Sequence, residues 1–282
     1  MRQAGTATTP TLYAEAPDGV LIGYRVHAVQ TDEPADGRAA PVAALPPVLL
    51  VHGFASDAAI TWEGTGWVRA LEDAGRTTIT LDLRGHGTSD KPIDAASYAP
   101  GLLGADLVAV LDSAGADVVD VVAYSMGNRV VSALATSSPE RVRRVVVGGA
   151  GPNELFATWA IDDARAVLLR DEAPRDPVIG QVLRPAIAAG ADRDALLAVI
   201  EGVSGAPLSI PGGIPVLFVV GENDPVPVGA QELAREWGAD FVSVPGRDHV
   251  SALTSRAFKA AAIAFLAEGD RDAETDRSRP EA

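Results

Sequence analysis

The stretch Val118–Asn128, VVDVVAYSMGN, constrains this chain more than any other. Val118–Ala123 is a short, β-branched, mostly apolar run, the pattern of a buried strand. Ser125 follows at once, inside A-Y-S-M-G, and a helical pattern then begins with Val130, Val131, Leu134 and Ala135 on one face. Strand, serine and helix with no room for a loop make a nucleophile elbow. Such a turn strains the backbone at the serine, so Ala123 and Gly127, two residues to either side, must be small for strand and helix to approach. The hydroxyl is then held out above the sheet, beside a helix N-terminus that favours developing negative charge. A serine ahead of a helix is most often just an N-cap, so the rest of the chain must decide between the two roles.

Around this stretch the chain alternates strand and helix. Leu12–Ala16 and Val20–Val29 read as a hairpin about Pro17-Asp18-Gly19, after a frayed segment 1–10. Thr31–Pro47 reads as a surface loop. Val48–Val51 is a short buried strand ending in His52-Gly53-Phe54, where the glycine allows a tight turn with exposed N–H groups. A helix from Trp67 to Gly75, a strand Thr77–Leu81 and a helix Gly101–Ala114 precede the elbow. Arg144–Val147 is the next strand. This rhythm calls for a mostly parallel sheet with right-handed crossovers.

At Gly148–Asn153 the rhythm breaks. Pro152–Pro211 carries helical patterns (Ile161–Leu169, Val178–Leu183, Asp194–Ile200) and no clear strand. It reads as an insertion at the strand C-terminal edge, a cap over a site. The expected organisation is a core part at 11–151, a helical cap at 152–211, a second core part at 212–268 and a disordered charged tail at 269–282. In the second core part, Ile214–Val220 is a strand ending in G-E-N-D-P, Pro227–Trp237 a helix, Phe241–Val244 the last strand, and Ser251–Ala267 the closing helix.

Composition narrows the function classes. With 23 Lys+Arg against 38 Asp+Glu the net charge is −15, so nucleic acid and anionic membranes are poor partners. No apolar run is long enough to span a membrane, and MRQAGTATTP lacks the hydrophobic stretch of a signal peptide. A cytoplasmic location is the expectation. Cysteine is absent, which removes thiol chemistry. The four histidines, at 27, 52, 86 and 249, are scattered, and Asp82 with His86 lacks further ligands, so neither a metal nor another cofactor is expected.

Three side chains fall at the C-terminal ends of three inferred strands: Ser125, Asp224 and His249. Open parallel sheets place their sites at that edge. A serine hydroxyl is a weak nucleophile until a histidine takes its proton, and a carboxylate on the far imidazole nitrogen fixes the tautomer. The oxyanion of a tetrahedral intermediate needs two donors, which the backbone N–H groups of Phe54 and Met126 would supply. His52 is read as a structural histidine that pins its loop. Trp62, Phe156, Trp159 and Leu183 are the candidates for a substrate pocket, although large apolar residues more often simply pack.

These motifs resemble those of the α/β-hydrolase superfamily: V-H-G-F at 51–54, D-L-R-G-H-G-T-S-D-K-P at 82–92, A-Y-S-M-G at 123–127, G-E-N-D-P at 221–225 and G-R-D-H at 246–249. The order Ser, Asp, His is also that family's. The resemblance spans about Leu21 to Leu266. It implies an α/β-hydrolase fold, a mostly parallel eight-stranded sheet flanked by helices with a small helical cap. It implies that Ser125, Asp224 and His249 form a triad, and that 82–92 is a structural loop beside it. Ala123 departs from the motif's first glycine, and Asn128 stands where many relatives have a small residue. Relatives resembling epoxide hydrolases and haloalkane dehalogenases carry Asp at the elbow, so Ser125 points to hydrolysis of a small or medium carboxylic ester or lactone, with water as co-substrate. C–C bond hydrolysis or perhydrolase chemistry on the same triad is the alternative. A third reading is a small-molecule receptor with weak turnover.

Overall fold

The computed structural model describes residues 9–29 and 45–277, without the side chains of 269–277. The expected frayed segment 1–10 and loop 31–47 therefore fall largely outside the described residues. Eight strands form one sheet in the order β1-β2-β4-β3-β5-β6-β7-β8. They are β1 Leu12–Glu15, β2 Leu21–His27, β3 Val48–Val51, β4 Thr78–Leu81, β5 Val119–Tyr124, β6 Val142–Gly148, β7 Val216–Gly221 and β8 Asp240–Val244. The pairs β1/β2 and β2/β4 are antiparallel, and every other neighbouring pair is parallel.

The central strands are apolar at successive positions because both sheet faces are covered. Along β3, Leu49 and Val51 enter one core while Val48 and Leu50 enter the other. On the first face lie α2 (Pro100–Ser113), α3 (Gly127–Ser137) and α7 (Ala230–Trp237). On the second lie α1 (Trp67–Asp73) and α9 (Arg256–Arg277). Burying both faces is what makes this layered arrangement stable, at roughly 25 cal/mol for each Å² of apolar surface removed from water.

Between β6 and β7 the chain leaves the sheet and forms α4 (Ile161–Arg170), α5 (Pro177–Ala188) and α6 (Arg193–Val203). α5 runs on past the expected end at Leu183, with Pro185 inside it. Proline forfeits one backbone hydrogen bond in such a position, and packing of Ile179, Leu183 and Ala186 holds the helix regardless. α6 docks on the turn Ala95–Tyr98, where a Cβ at Gly202 would meet the Ala95 carbonyl at 2.4 Å. Among the described residues, no helix is long and apolar enough to cross a membrane.

Two expectations about the C-terminal region are corrected. The closing helix is not continuous: α8 (His249–Thr254) ends at Ser255, whose backbone is extended (φ −70°, ψ 146°), and α9 starts afresh. Ser255 Oγ accepts from the Phe258 N–H at 3.1 Å, so this serine caps the new helix. The tail expected to be disordered is helical to Arg277, and only 278–282 lie outside the described residues.

Candidate active site

Ser125 opens the two-residue turn Ser125-Met126 between β5 and α3 at φ +52°, a left-handed conformation that is costly for a residue with a side chain. Its N–H donates to the Gly148 carbonyl at 2.9 Å, tying the turn to the end of β6. Gly127 lies so close to β3 that a Cβ there would stand 2.5 Å from the His52 carbonyl oxygen. Asn128 explains itself here. Its Nδ2 donates to the Ser125 carbonyl at 3.0 Å and to the Gly148 carbonyl at 2.9 Å, locking the elbow on the side where the sequence pattern leaves it open.

The structure brings Ser125, His249 and Asp224 into one hydrogen-bonded chain. His249 Nε2 lies 3.1 Å from Ser125 Oγ, and His249 Nδ1 lies 2.8 Å from Asp224 Oδ2. Asp224 Oδ1 accepts from the Val226 N–H at 2.9 Å. The carboxylate can only accept, so Nδ1 carries the proton and Nε2 faces the serine hydroxyl as the acceptor. The Asp224 side chain is fully buried, whereas the His249 side chain is 27% exposed. His249 opens α8, directly after Asp248, whose carboxylate caps that helix through the Val250 and Ser251 N–H groups. The Tyr124 hydroxyl donates to the His249 carbonyl. Gly149, at φ +57°, leaves room for both rings: a Cβ there would meet Tyr124 Cζ at 2.7 Å and His249 Cε1 at 3.1 Å.

The loop after β3 is held by the segment after β4. His52 Nε2 accepts the Leu83 N–H at 2.9 Å while its Nδ1 donates to the Gly53 carbonyl at 2.7 Å. His86 Nε2 accepts the Ala55 N–H at 3.1 Å, and its Nδ1 donates to the Arg84 carbonyl at 3.0 Å. Burial lowers the pKa of both rings, that of His86 to about 3, so both stay neutral. Burial disfavours ionisation of Asp82 too, but the Ala58 and Thr88 N–H groups outweigh it and hold the carboxyl below the usual range. Among the described residues, neither the Phe54 nor the Met126 N–H donates to a protein acceptor. Both residues line the cavity that Ser125 opens into.

That cavity measures about 30 Å³ and is otherwise walled by Arg129, Glu154, Phe156 and Val226. Phe156 is thus placed at the site, its ring 4.8 Å from that of Phe54. The other three pocket candidates are corrected. Trp62 is fully buried on the far side of the sheet, 5.6 Å from Trp67, because the chain crosses to the second core within the turn Ala59–Glu63. Leu183 is fully buried in the packing between helices α4–α6 and the core, away from the cavity at Ser125. Trp159 stacks behind Phe156 at 5.2 Å and lines a separate cavity of about 320 Å³ with Ile161 and Arg165. Sequence reasoning missed Arg129 and Glu154. Arg129 had a visible signal, a lone charge next to the buried stripe of the elbow helix.

Residues 46–169 match the family model described as alpha/beta hydrolase fold. Epoxide hydrolase B of Mycobacterium tuberculosis is 36% identical over 124 residues, covering 44% of this chain and 32% of that one. A 2-hydroxymuconate semialdehyde hydrolase of Pseudomonas putida is 35% identical over 103 residues, 36% of each chain. The matches thus span about a third of the length of these relatives. A thermophilic esterase from Thermogutta terrifontis superposes with a TM-score of 0.68 at 19% identity, over 92% of this chain and 99% of the esterase. With this sheet order, elbow and structural likeness, the chain has the α/β-hydrolase fold.

Proposed function

We propose that the protein is a serine hydrolase that cleaves a small carboxylic ester or lactone through an acyl-enzyme. Ser125 Oγ attacks the carbonyl carbon as its proton passes to His249 Nε2. Asp224 stabilises the imidazolium, and the Phe54 and Met126 N–H groups receive the oxyanion. The intermediate collapses, the C–O bond to the alcohol breaks, and the imidazolium protonates the departing oxygen. Water, deprotonated by the same imidazole, then attacks the acyl carbon and frees the carboxylic acid and the serine. The segment 153–156, which leads into α4, walls the acyl side.

The observation that carries this reading is the chain Asp224–His249–Ser125, ending on a hydroxyl held at φ +52°. An elbow serine also argues against the epoxide opening for which one relative is named, since family members of that kind carry Asp there. The resting cavity holds only a group or two of water size, which supports short acyl groups. C–C hydrolysis is a second reading, favoured by the likeness to 2-hydroxymuconate semialdehyde hydrolase.

The test is intact-protein mass after treatment with a fluorophosphonate, with peptide mapping, beside p-nitrophenyl esters from acetate to octanoate and a vinylogous diketone. The expected result is one adduct, on Ser125, with fastest turnover at the acetate end and a loss of roughly 10⁴-fold or more in Ser125→Ala. Preference for the diketone would favour C–C hydrolysis. Unchanged ester turnover in Ser125→Ala would overturn the proposal.

A further inference from the structure

Arg129 lies in the first turn of α3, four residues after Ser125, and walls the same cavity. It is only 4% exposed. Its Nη2 donates to the Gly151 carbonyl at 2.6 Å, and its Nη1 is buried with no hydrogen-bond partner among the described residues. A guanidinium keeps its charge in a protein interior, so this is a buried cation with an unused donor, an arrangement that folding alone does not favour.

Glu154 borders the same cavity, but both its carboxylate oxygens are engaged by backbone N–H groups. Oε1 accepts from Phe156 N–H at 2.8 Å; Oε2 accepts from Ala157 N–H at 2.9 Å and Gly205 N–H at 3.3 Å. Among the described residues Arg129 forms no ion pair. Burial lowers its pKa, and the field of Glu154 offsets this only in part.

We infer that Arg129 receives a carboxylate of the substrate, so that the preferred ligands are esters or lactones bearing a free carboxylate a few bonds from the scissile carbonyl. This deepens, and rests on, the ester-hydrolase reading. A guanidinium edge matches a carboxylate geometrically. A cavity of about 30 Å³ accepts a group of that size, and the Phe54 and Phe156 rings, 4.8 Å apart, give it an apolar wall on one side, which strengthens such a pair.

The experiment compares kcat/KM for monomethyl succinate and for methyl 4-methylpentanoate, in which an isopropyl group replaces the carboxylate, using wild-type protein, Arg129→Met and Arg129→Lys. Wild-type protein should favour the anionic ester by roughly 10- to 100-fold, the worth of a charge-assisted hydrogen bond. Arg129→Met should erase that preference by lowering kcat/KM far more for the anionic ester than for the neutral one, and Arg129→Lys should restore part of it. Equal losses on both esters would mean that Arg129 only supports the loop at Gly151, and would overturn the inference. So would a wild-type enzyme indifferent to the carboxylate, a result that stands even if Arg129→Met does not fold. If neither ester turns over, the hydrolase reading fails separately. Succinate binding by calorimetry then decides the anion site: binding to wild-type protein that is weakened in Arg129→Lys supports it, and no binding overturns it.

Discussion

Ser125 and the buried histidines show how single residues here combine strain and burial. The left-handed backbone at Ser125 persists because Asn128, Gly148 and the close β3 contact at Gly127 over-determine it. His27, His52 and His86 are held neutral by burial, with pKa values below the ordinary 6.5. As pH falls below 6.5 the unfolded chain binds protons that the folded state refuses, until the folded pKa is reached, at about 3 for His86. The stability they contribute is therefore complete above pH 6.5 and is lost on acidification. Each histidine costs up to about 1.4 kcal/mol for every pH unit. Urea unfolding at about pH 7.5 and about pH 5 should thus show a fall, about 2 kcal/mol of it from His86. Equal values would show that these rings are not linked to folding.

At the scale of elements, α8 is short and its placement decides the site. Six residues make a weak helix on their own. Three ties hold it: the capping box of Asp248 and Ser251, the hydrogen bond from Trp67 Nε1 to the Leu253 carbonyl at 2.8 Å, and the Tyr124 hydroxyl on the His249 carbonyl. Asp248→Ala should cost about 1 kcal/mol of stability. Because His249 is the first residue of α8, it should also lower kcat for ester hydrolysis while KM changes little. A kcat unchanged alongside the stability loss would show that the imidazole is positioned without the cap. Trp67 thus serves the site from behind the sheet, by bracing the helix that carries His249.

At the scale of the whole molecule, the two ends of the sheet carry different burdens. The C-terminal ends of the strands gather the site, and the opposite end is closed by charge. Asp120, near the start of β5, is fully buried; its Oδ2 accepts from Arg76 Nη2 at 2.5 Å and its Oδ1 from Arg143 Nε at 2.8 Å. Removing one member of a buried ionic cluster costs about 3–5 kcal/mol because the remaining charges stay desolvated. Asp120→Ala should lose stability on that scale in urea titrations, with kcat on a short ester within about twofold of wild-type, since additivity holds for distant sites. A loss below about 1 kcal/mol would mean that water reaches the cluster.

Much of this arrangement was legible in the residues. The sheet and its switch from hairpin to parallel pairing follow from local patterns of glycine punctuation and β-branched runs, which act over a few neighbours. The spacing around Ser125 demands a tight elbow for steric reasons that any chain would obey. Residues 224 and 249 could be named because both end apolar runs at the same sheet edge. Only the tertiary structure decided which apolar side chains meet a substrate. Trp62 and Leu183 look like pocket residues along the chain, yet burial takes them into packed cores, while Arg129, charged and overlooked, faces the cavity. Hydrophobicity is non-directional, so a sequence shows that a side chain will be buried but not against what. That depends on which elements pack together, and here the cap and the crossing at Ala59–Glu63 set it.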